Sequence, residues 1–192
     1  CIRDRFYGLP FEVNEQISLE GVKDYMNAIC KYSPRSYQVE GVYDALRHNR
    51  KLLISPTASG KSLMIYSIVR YFVEKGKNTL IVVPTTSLVE QMYKDFADYG
   101  WDVGSFCHKI YAGKERETDS QVIITTWQSI YKLPRKYFER FSVVVGDEAH
   151  QFKSKSLISI MTKLDNAKFR YGFTGTLDGT QTHKWVLEGL FG

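Results

Sequence analysis

Cysteine is scarce in this 192-residue chain: Cys1, Cys30 and Cys107 are the three present, scattered and odd in number. With no Cys-x-x-Cys pair and no Cys/His cluster, neither a zinc module nor a disulfide-stapled scaffold is indicated. Such thiol usage suits a reducing cytosol, so a cytoplasmic setting is the expectation. Long apolar runs are lacking as well. The stretches 63–69 and 80–83 fall far short of the ~20 residues a membrane span needs. The chain opens Cys1-Ile2-Arg3-Asp4, without an initiator Met or a signal peptide, and is expected to be a piece of something longer. No internal repeat and no low-complexity linker interrupts it. Charge of one sign is only mildly in excess: 26 Lys and Arg against 21 Asp and Glu give +5, which permits a nucleic-acid partner without establishing one. What is present is apolar content, 43%, enough for the core of one domain and too much for a disordered polymer.

Hydrophobic periodicity divides the chain near Pro34. Ahead of it one helix is predicted over 19–31, with Ser18 as N-cap. Beyond it, short apolar runs alternate with longer amphipathic stretches. The runs 51–55, 79–83, 121–126, 142–146 and 169–173 are rich in Val, Ile, Leu or aromatics and show no polar alternation. That pattern suits strands buried on both faces, as in a parallel sheet covered by helices. The segments between them read as helices. Ser33 is placed to cap one that has Pro34 in its first turn and continues over 37–47. The stretch 61–74 aligns Leu63, Tyr66, Val69 and Val73 on one face and stops before Gly76. Ser87 and Glu90 make a capping box for a helix reaching Tyr99, and the polar stretch 112–120 reads as a surface loop. This alternation predicts an α/β doubly wound domain over 33–192, with 1–32 as a short helical appendage, the remnant of an accessory region.

Ser55-Pro56-Thr57-Ala58-Ser59-Gly60-Lys61-Ser62 leaves a predicted strand and opens a predicted helix, the context a phosphate-binding loop requires. Small residues let the backbone curl so that successive N–H groups face a phosphate chain, and the helix N-terminus adds partial positive charge. Pro56, Thr57, Ala58, Ser59 and Gly60 would form that cradle, Lys61 would reach the β- and γ-phosphates, and the Ser62 hydroxyl would ligate Mg²⁺. The first glycine of the GxxxxGK(S/T) pattern is Ser55 here, which is tolerable if its backbone angles are ordinary. The plainer reading is a Gly-Lys-Ser turn with no ligand. A second segment weighs against that reading. The run 142–146 ends in Asp147-Glu148-Ala149-His150, and the carboxyl ends of parallel strands share one edge where ligands bind. Asp147 is therefore expected near the loop as a Mg²⁺ carboxylate. Glu148 is expected to orient and deprotonate an attacking water, and His150 to link the site to a further element by hydrogen bonds.

These blocks resemble the superfamily 2 helicases and translocases, of the type whose second motif reads Asp-Glu-Ala-His. The resemblance covers 33–192, with the motifs in the family's order. Arg35-x-Tyr37-Gln38 resembles the element that reads adenine, with Gln38 as its amide. Val83-Pro84-Thr85 through Gln91 resembles motif Ia, and Thr125-Thr126-Trp127-Gln128-Ser129 resembles the block that touches nucleic-acid backbone. Thr174-Gly175-Thr176 resembles motif III, which links ATP state to strand handling. The resemblance implies a RecA-like P-loop domain that uses ATP and Mg²⁺ and binds nucleotide also through Arg35 and Gln38. It further implies that Thr85, Thr126, Gln128, Thr174 and Thr176 contact DNA or couple to it. More narrowly, the wording of the blocks and the Leu-Phe-Gly ending are similar to phage recombination-repair helicases, a family that remodels branched DNA such as forks, junctions, D-loops and R-loops. Restriction translocase subunits and excision-repair helicases share much of this wording.

Threonines at strand ends offer hydroxyls and N–H groups to phosphate oxygens without reading bases, and Thr85, Thr126 and Ser129 are expected on one sheet edge. Lys132, Arg135, Lys136, Lys153, Lys155 and Lys163 would add charge around them, although a solvated face is the plainer account of each. Trp127 reads as a packing residue sooner than a base-stacking platform, and Tyr7, Phe11 and Tyr25 as packing of the appendage against the domain, with DNA binding as the alternative. The family needs a second motor domain carrying an arginine finger. After Gly175 only 17 residues remain (192 − 175), so that domain is expected outside this chain, which alone would be a monomeric, nearly inactive half of an ATP hydrolase. Two other classes stay open on the residues: a P-loop small-molecule phosphotransferase, which would need a lid and an acceptor pocket, and a non-catalytic binding scaffold. DNA over RNA rests on the resemblance alone.

Overall fold

In a computed structural model, which describes residues 14, 16–55, 60–111, 117–151, 154–175 and 188–191, the apolar runs assemble into one six-stranded sheet. The chain runs α1 (Leu19–Ile29), α2 (Ser36–Arg47), β1 (Arg50–Ile54), α3 (Lys61–Glu74), β2 (Thr79–Val83), α4 (Thr86–Asp98), α5 (Val103–Phe106) and β3 (Cys107–Ile110). It continues through β4 (Val122–Thr126), α6 (Trp127–Ile130), α7 (Arg135–Phe138), β5 (Val143–Gly146), a 3₁₀ turn (Ala149–Gln151), α8 (Ser154–Met161) and β6 (Phe169–Thr174). The strand order is β1-β6-β5-β2-β4-β3 and every pairing is parallel.

Successive side chains of a strand point to opposite faces, and here both faces are covered. Ile81, Val83, Val122, Ile124, Val143 and Val145 enter one core with α1 to α4, while Leu80, Val82, Ile123 and Val144 enter a second with α6, α7 and α8. This two-sided burial is why the inner runs carry no polar alternation, whereas β1, expected to be covered on both faces, lies at one sheet edge, half-buried and with Ile54 exposed. Strand β3 escaped prediction for the opposite reason. It lies at the sheet edge, with only Cys107 and Ile110 buried and His108 and Lys109 half-buried, so four residues gave no continuous apolar run.

Two helix starts differ from expectation. Helix α2 begins at Ser36, not Ser33: the segment through Arg35 is extended, and Gln38 Oε1 accepts the Arg35 N–H at 2.8 Å, so a side chain inside the helix does the capping. Helix α4 is capped by Thr85, whose hydroxyl accepts the Leu88 N–H at 3.3 Å, which leaves Ser87 inside the helix. Ser18 caps α1 as expected, accepting the Gly21 N–H at 3.1 Å.

The described part of the appendage is tied to the domain. Val22 and Met26 of α1 lie in the same core as α2 and α3, Tyr25 sits edge-on to Tyr71, and the Tyr66 hydroxyl donates to the Ile29 carbonyl at 2.7 Å. That last bond satisfies a carbonyl which the end of α1 leaves without a helical partner. Tyr7 and Phe11 lie outside the described residues. Cys30 and Cys107 are buried free thiols, and among the described residues no helix is long and apolar enough to cross a membrane.

Candidate active site

Strand β1 delivers the chain to the loop at Ser55, which is buried and donates its N–H to the Thr174 carbonyl at 2.8 Å, extending the β1–β6 ladder by one residue. Its φ is not positive, so a serine fits where the pattern has glycine. Pro56, Thr57, Ala58 and Ser59 lie outside the described residues. Gly60 resumes the chain as the N-cap of α3 at φ 75°, ψ 37°, a left-handed conformation. A Cβ there would also collide with the Gln38 side-chain nitrogen, which donates to the Gly60 carbonyl at 3.3 Å. Glycine is thus favoured by the angle, and a side chain there would displace the Gln38 amide. Gln38 is buried with both ends of its amide engaged, whereas Arg35 is exposed and donates from Nη1 to the Tyr37 hydroxyl at 3.2 Å.

One strand, β6, separates β1 from β5, and the Lys61 side chain spans that gap. Its Nζ stands 3.8 Å from Asp147 Oδ1 and pairs directly with Glu148 Oε1, the three side chains being only 10%, 9% and 16% exposed. The turn that makes this possible is unusual. Glu148 has φ 49°, the sole positive φ at a non-glycine among the described residues, at a cost of roughly 1–3 kcal/mol. Asp147 Oδ1 steadies it by accepting the Glu148 N–H at 2.9 Å. His150 Nδ1 lies 3.4 Å from Glu148 Oε2 and 2.8 Å from Thr174 Oγ1. A continuous polar chain therefore runs Lys61–Glu148–His150–Thr174, from the start of α3 to the end of β6.

Burial holds the Asp147 carboxyl above the usual carboxylate range, against the opposing pull of Lys61 and His150. A carboxyl whose pKa is higher folded than unfolded binds more protons in the native state. Ionising it therefore costs stability, and the loss sets in as pH rises above the unfolded value of about 3.9. Asp147→Asn should accordingly melt higher than the parent at pH 7, with the gap narrowing toward pH 4 in thermal scans. A parent that melts higher at pH 7 would show that Lys61 compensates the buried charge in full.

Among the described residues no cluster of three or more His, Cys, Asp or Glu could hold a metal ion by itself. The donors on hand are one hydroxyl, Ser62, and one carboxylate, Asp147. Hard oxygen donors in such small number fit Mg²⁺, which keeps several waters and is bound jointly with substrate phosphates. Ser62 has a partner that no motif announced: its Oγ lies 2.7 Å from the Tyr99 hydroxyl. Tyr99 carried no signal in the sequence beyond closing a helix.

The remaining predicted residues divide by environment. Thr85 is exposed at the start of α4, and Gln128, also exposed, donates to the Pro84 carbonyl at 3.4 Å. The ends of β2 and β4 are so joined. Thr126 and Thr174 are buried, the Thr126 hydroxyl bonding Ser129 at 2.9 Å. Thr176 and Lys153 lie outside the described residues. Arg135 is paired with Asp165, and Lys163 donates to the Tyr131 and Leu133 carbonyls at 2.7 and 2.9 Å, so both have structural partners; Lys132, Lys136 and Lys155 are exposed. Trp127 packs edge-on to Tyr131 at the margin of the second core.

A parallel RecA-like sheet that sets a Gly-Lys-Ser helix start against an Asp-Glu-Ala-His turn defines the first motor domain of a superfamily 2 helicase. The chain belongs to the family described as "Type III restriction enzyme, res subunit", whose model matches residues 31–179. It is 33% identical over 190 residues to the ATP-dependent DNA helicase uvsW of Enterobacteria phage T4, covering 93% of this chain and 38% of that protein. It is 31% identical over 147 residues to the DNA 3'-5' translocase XPB2 of Sulfurisphaera tokodaii, covering 76% of this chain and 31% of that one. The chain thus spans about a third of the length of these relatives. A crystal structure of the bacteriophage T4 UvsW helicase superposes with a TM-score of 0.84 at 32% identity, over 94% of this chain and 68% of that one. The SWI2/SNF2 ATPase core of Sulfolobus solfataricus, solved in complex with dsDNA, shares the fold at a TM-score of 0.70 and 18% identity, over 85% of this chain and 36% of that one. Neither the phosphotransferase nor the scaffold reading is favoured by these likenesses.

Proposed function

We propose that this motor domain binds Mg²⁺–ATP and, with a second motor domain that supplies the other wall of the cleft and the arginine finger, drives remodelling of branched or forked DNA. Residues 33–192 form the motor unit in this reading, 1–32 belong to an accessory region, and the work is done in the cytoplasm, that of the host cell if the protein is phage-encoded. The observation that carries the reading is the polar chain Lys61–Glu148–His150–Thr174 at the carboxyl edge of the sheet.

Lys61 is the cation for the β- and γ-phosphates, with Gly60 and the loop before it cradling them, and Arg35 and Gln38 take the base, Gln38 exchanging its bonds to the Arg35 N–H and the Gly60 carbonyl to do so. Ser62 and Asp147 hold Mg²⁺, which when bound neutralises phosphate charge. As Lys61 turns to phosphate it leaves Glu148, whose freed carboxylate orients a water and takes its proton at an Oε atom. His150 senses that change through Glu148 and passes it to Thr174, from which the chain continues to Thr176. Thr85, Thr126 and Gln128, on the neighbouring strand ends, are the backbone-facing group for DNA. The DNA preference follows the printed activities of the relatives.

The test is titration of a fluorescent ATP analogue into the chain, with Lys61→Ala alongside, and hydrolysis followed with and without forked DNA. A charged hydrogen bond contributes about 1.5–3 kcal/mol, so Lys61→Ala should weaken binding tenfold or more, with negligible turnover by the chain alone. Unchanged binding in the variant, or brisk turnover independent of DNA, would sink the reading and bring the phosphotransferase forward.

A further inference from the structure

The Tyr99–Ser62 contact joins the appendage to the cation site. Tyr99 closes α4, and its position is fixed from several sides. Its N–H donates to the Asp95 carbonyl at 2.9 Å and its carbonyl accepts the Lys31 N–H at 3.2 Å. The ring packs against Tyr66 with centroids 5.1 Å apart and meets Tyr32 edge-on at 6.2 Å. Tyr66 in turn bonds the Ile29 carbonyl, so the stretch that follows α1 grips Tyr99 from one side while α3 grips it from the other. Held there, the phenol reaches Ser62 Oγ at 2.7 Å.

A serine that ligates a cation gives a lone pair and keeps its proton, and that proton needs an acceptor. Ser62 sits in the first turn of α3, and among the described residues the oxygen bonded to its hydroxyl is that of Tyr99, with either group able to donate. We propose that Tyr99 is a positioning residue for the cation site: its phenol oxygen accepts the Ser62 proton, fixes one rotamer, and leaves the serine lone pairs for the divalent ion. The docking of 29–32 on Tyr99 then sets how tightly the ion is held. The inference rests on the Mg²⁺–ATP reading of the loop and adds to it a residue outside every helicase block.

The experiment titrates Mg²⁺ against binding of a fluorescent ADP analogue by the chain, with EDTA as the metal-free point and thermal melting as a check on folding. Partners that orient a metal ligand typically change metal affinity 10- to 100-fold when lost. Tyr99→Phe keeps the ring, so it should leave binding in EDTA unchanged and raise the Mg²⁺ midpoint about tenfold. In a Ser62→Ala background the same substitution should change nothing further. Tyr32→Ala, which keeps the hydroxyl but frees the ring, should shift the midpoint the same way by less. An unchanged midpoint in Tyr99→Phe makes the contact incidental, and a lowered one makes Tyr99 a competitor of the ion; either overturns the proposal. If the parent and Lys61→Ala bind nucleotide alike, the reading of the loop has failed instead.

Discussion

Glu148→Gln should bind ATP at least as tightly as the parent while losing about 10²- to 10⁴-fold in hydrolysis, the usual contribution of a positioned general base. The two effects have opposite signs because Glu148 has two partners in succession. Without nucleotide its carboxylate is the direct partner of Lys61, in a setting where both side chains are largely buried. ATP must draw the ammonium away from that pair before its phosphates can use it. An amide holds the lysine less strongly and also removes an anion from beside incoming phosphates, so affinity should rise, by roughly tenfold at most. Lys61 is not stranded in the variant, because Asp147 Oδ1 remains 3.8 Å away. Binding is read on this chain with the fluorescent analogue, and turnover on the full-length protein, which in the proposed reading adds a second motor domain, with forked DNA. A parallel fall in affinity and turnover would mean that Glu148 serves to build the turn and takes no proton.

The sequence carried the parts of this site whose chemistry is written in local pattern. A loop of small residues between a buried strand and a helix, and a strand ending in adjacent acids, each follow from a rule spanning fewer than ten residues. The sheet edge that unites them follows from parallel pairing. What the sequence withheld depends on geometry between distant segments. Ser87 and Thr85 obey the same capping rule, and only the end of β2 at Val83 selects Thr85. Ser33-Pro34 looks like a helix start, yet Gln38 captures the Arg35 N–H and moves the start to Ser36. The left-handed angle at Glu148 is invisible in composition, since nothing about a glutamate forecasts it, and the pairing with Lys61 depends on it. Strand β3 needs β4 as a partner before four residues of mixed polarity can be a strand. Tyr99 shows the limit most plainly, because its contact with Ser62 is fixed by how α3, α4 and the end of α1 meet, and no spacing encodes that.

Gly172→Val should lower stability by about 3 kcal/mol, toward the upper end of what overpacking a close-fitted core costs. Strand β6 runs between β1 and β5, with Gly172 in register with Leu52 on one side and Gly146 on the other. A Cβ at this position would stand 2.8 Å from Leu52 Cδ1 and 2.9 Å from Phe191 Cγ. Phe191 is fully buried, so its ring has no solvent to retreat into, and the higher strand propensity of valine offsets only part of the strain. For a domain of this size the melting temperature should fall by roughly 6–12 °C, at about 2–4 °C per kcal/mol. The Leu-Phe-Gly ending thereby acquires a structural role, as Phe191 lies over the one residue of β6 that has no side chain. Phe191→Ala alone should also destabilise, by about 3–5 kcal/mol, because it leaves a cavity. The two together should cost less than their sum, since the valine then enters the space the ring has vacated. Additive losses in the melting curves would show that ring and glycine do not share that space. Nucleotide binding reads the same variants a second way: Thr174 lies two residues beyond Gly172 and bonds His150, so strain in β6 should reach the acidic turn even though Lys61 and its loop are untouched.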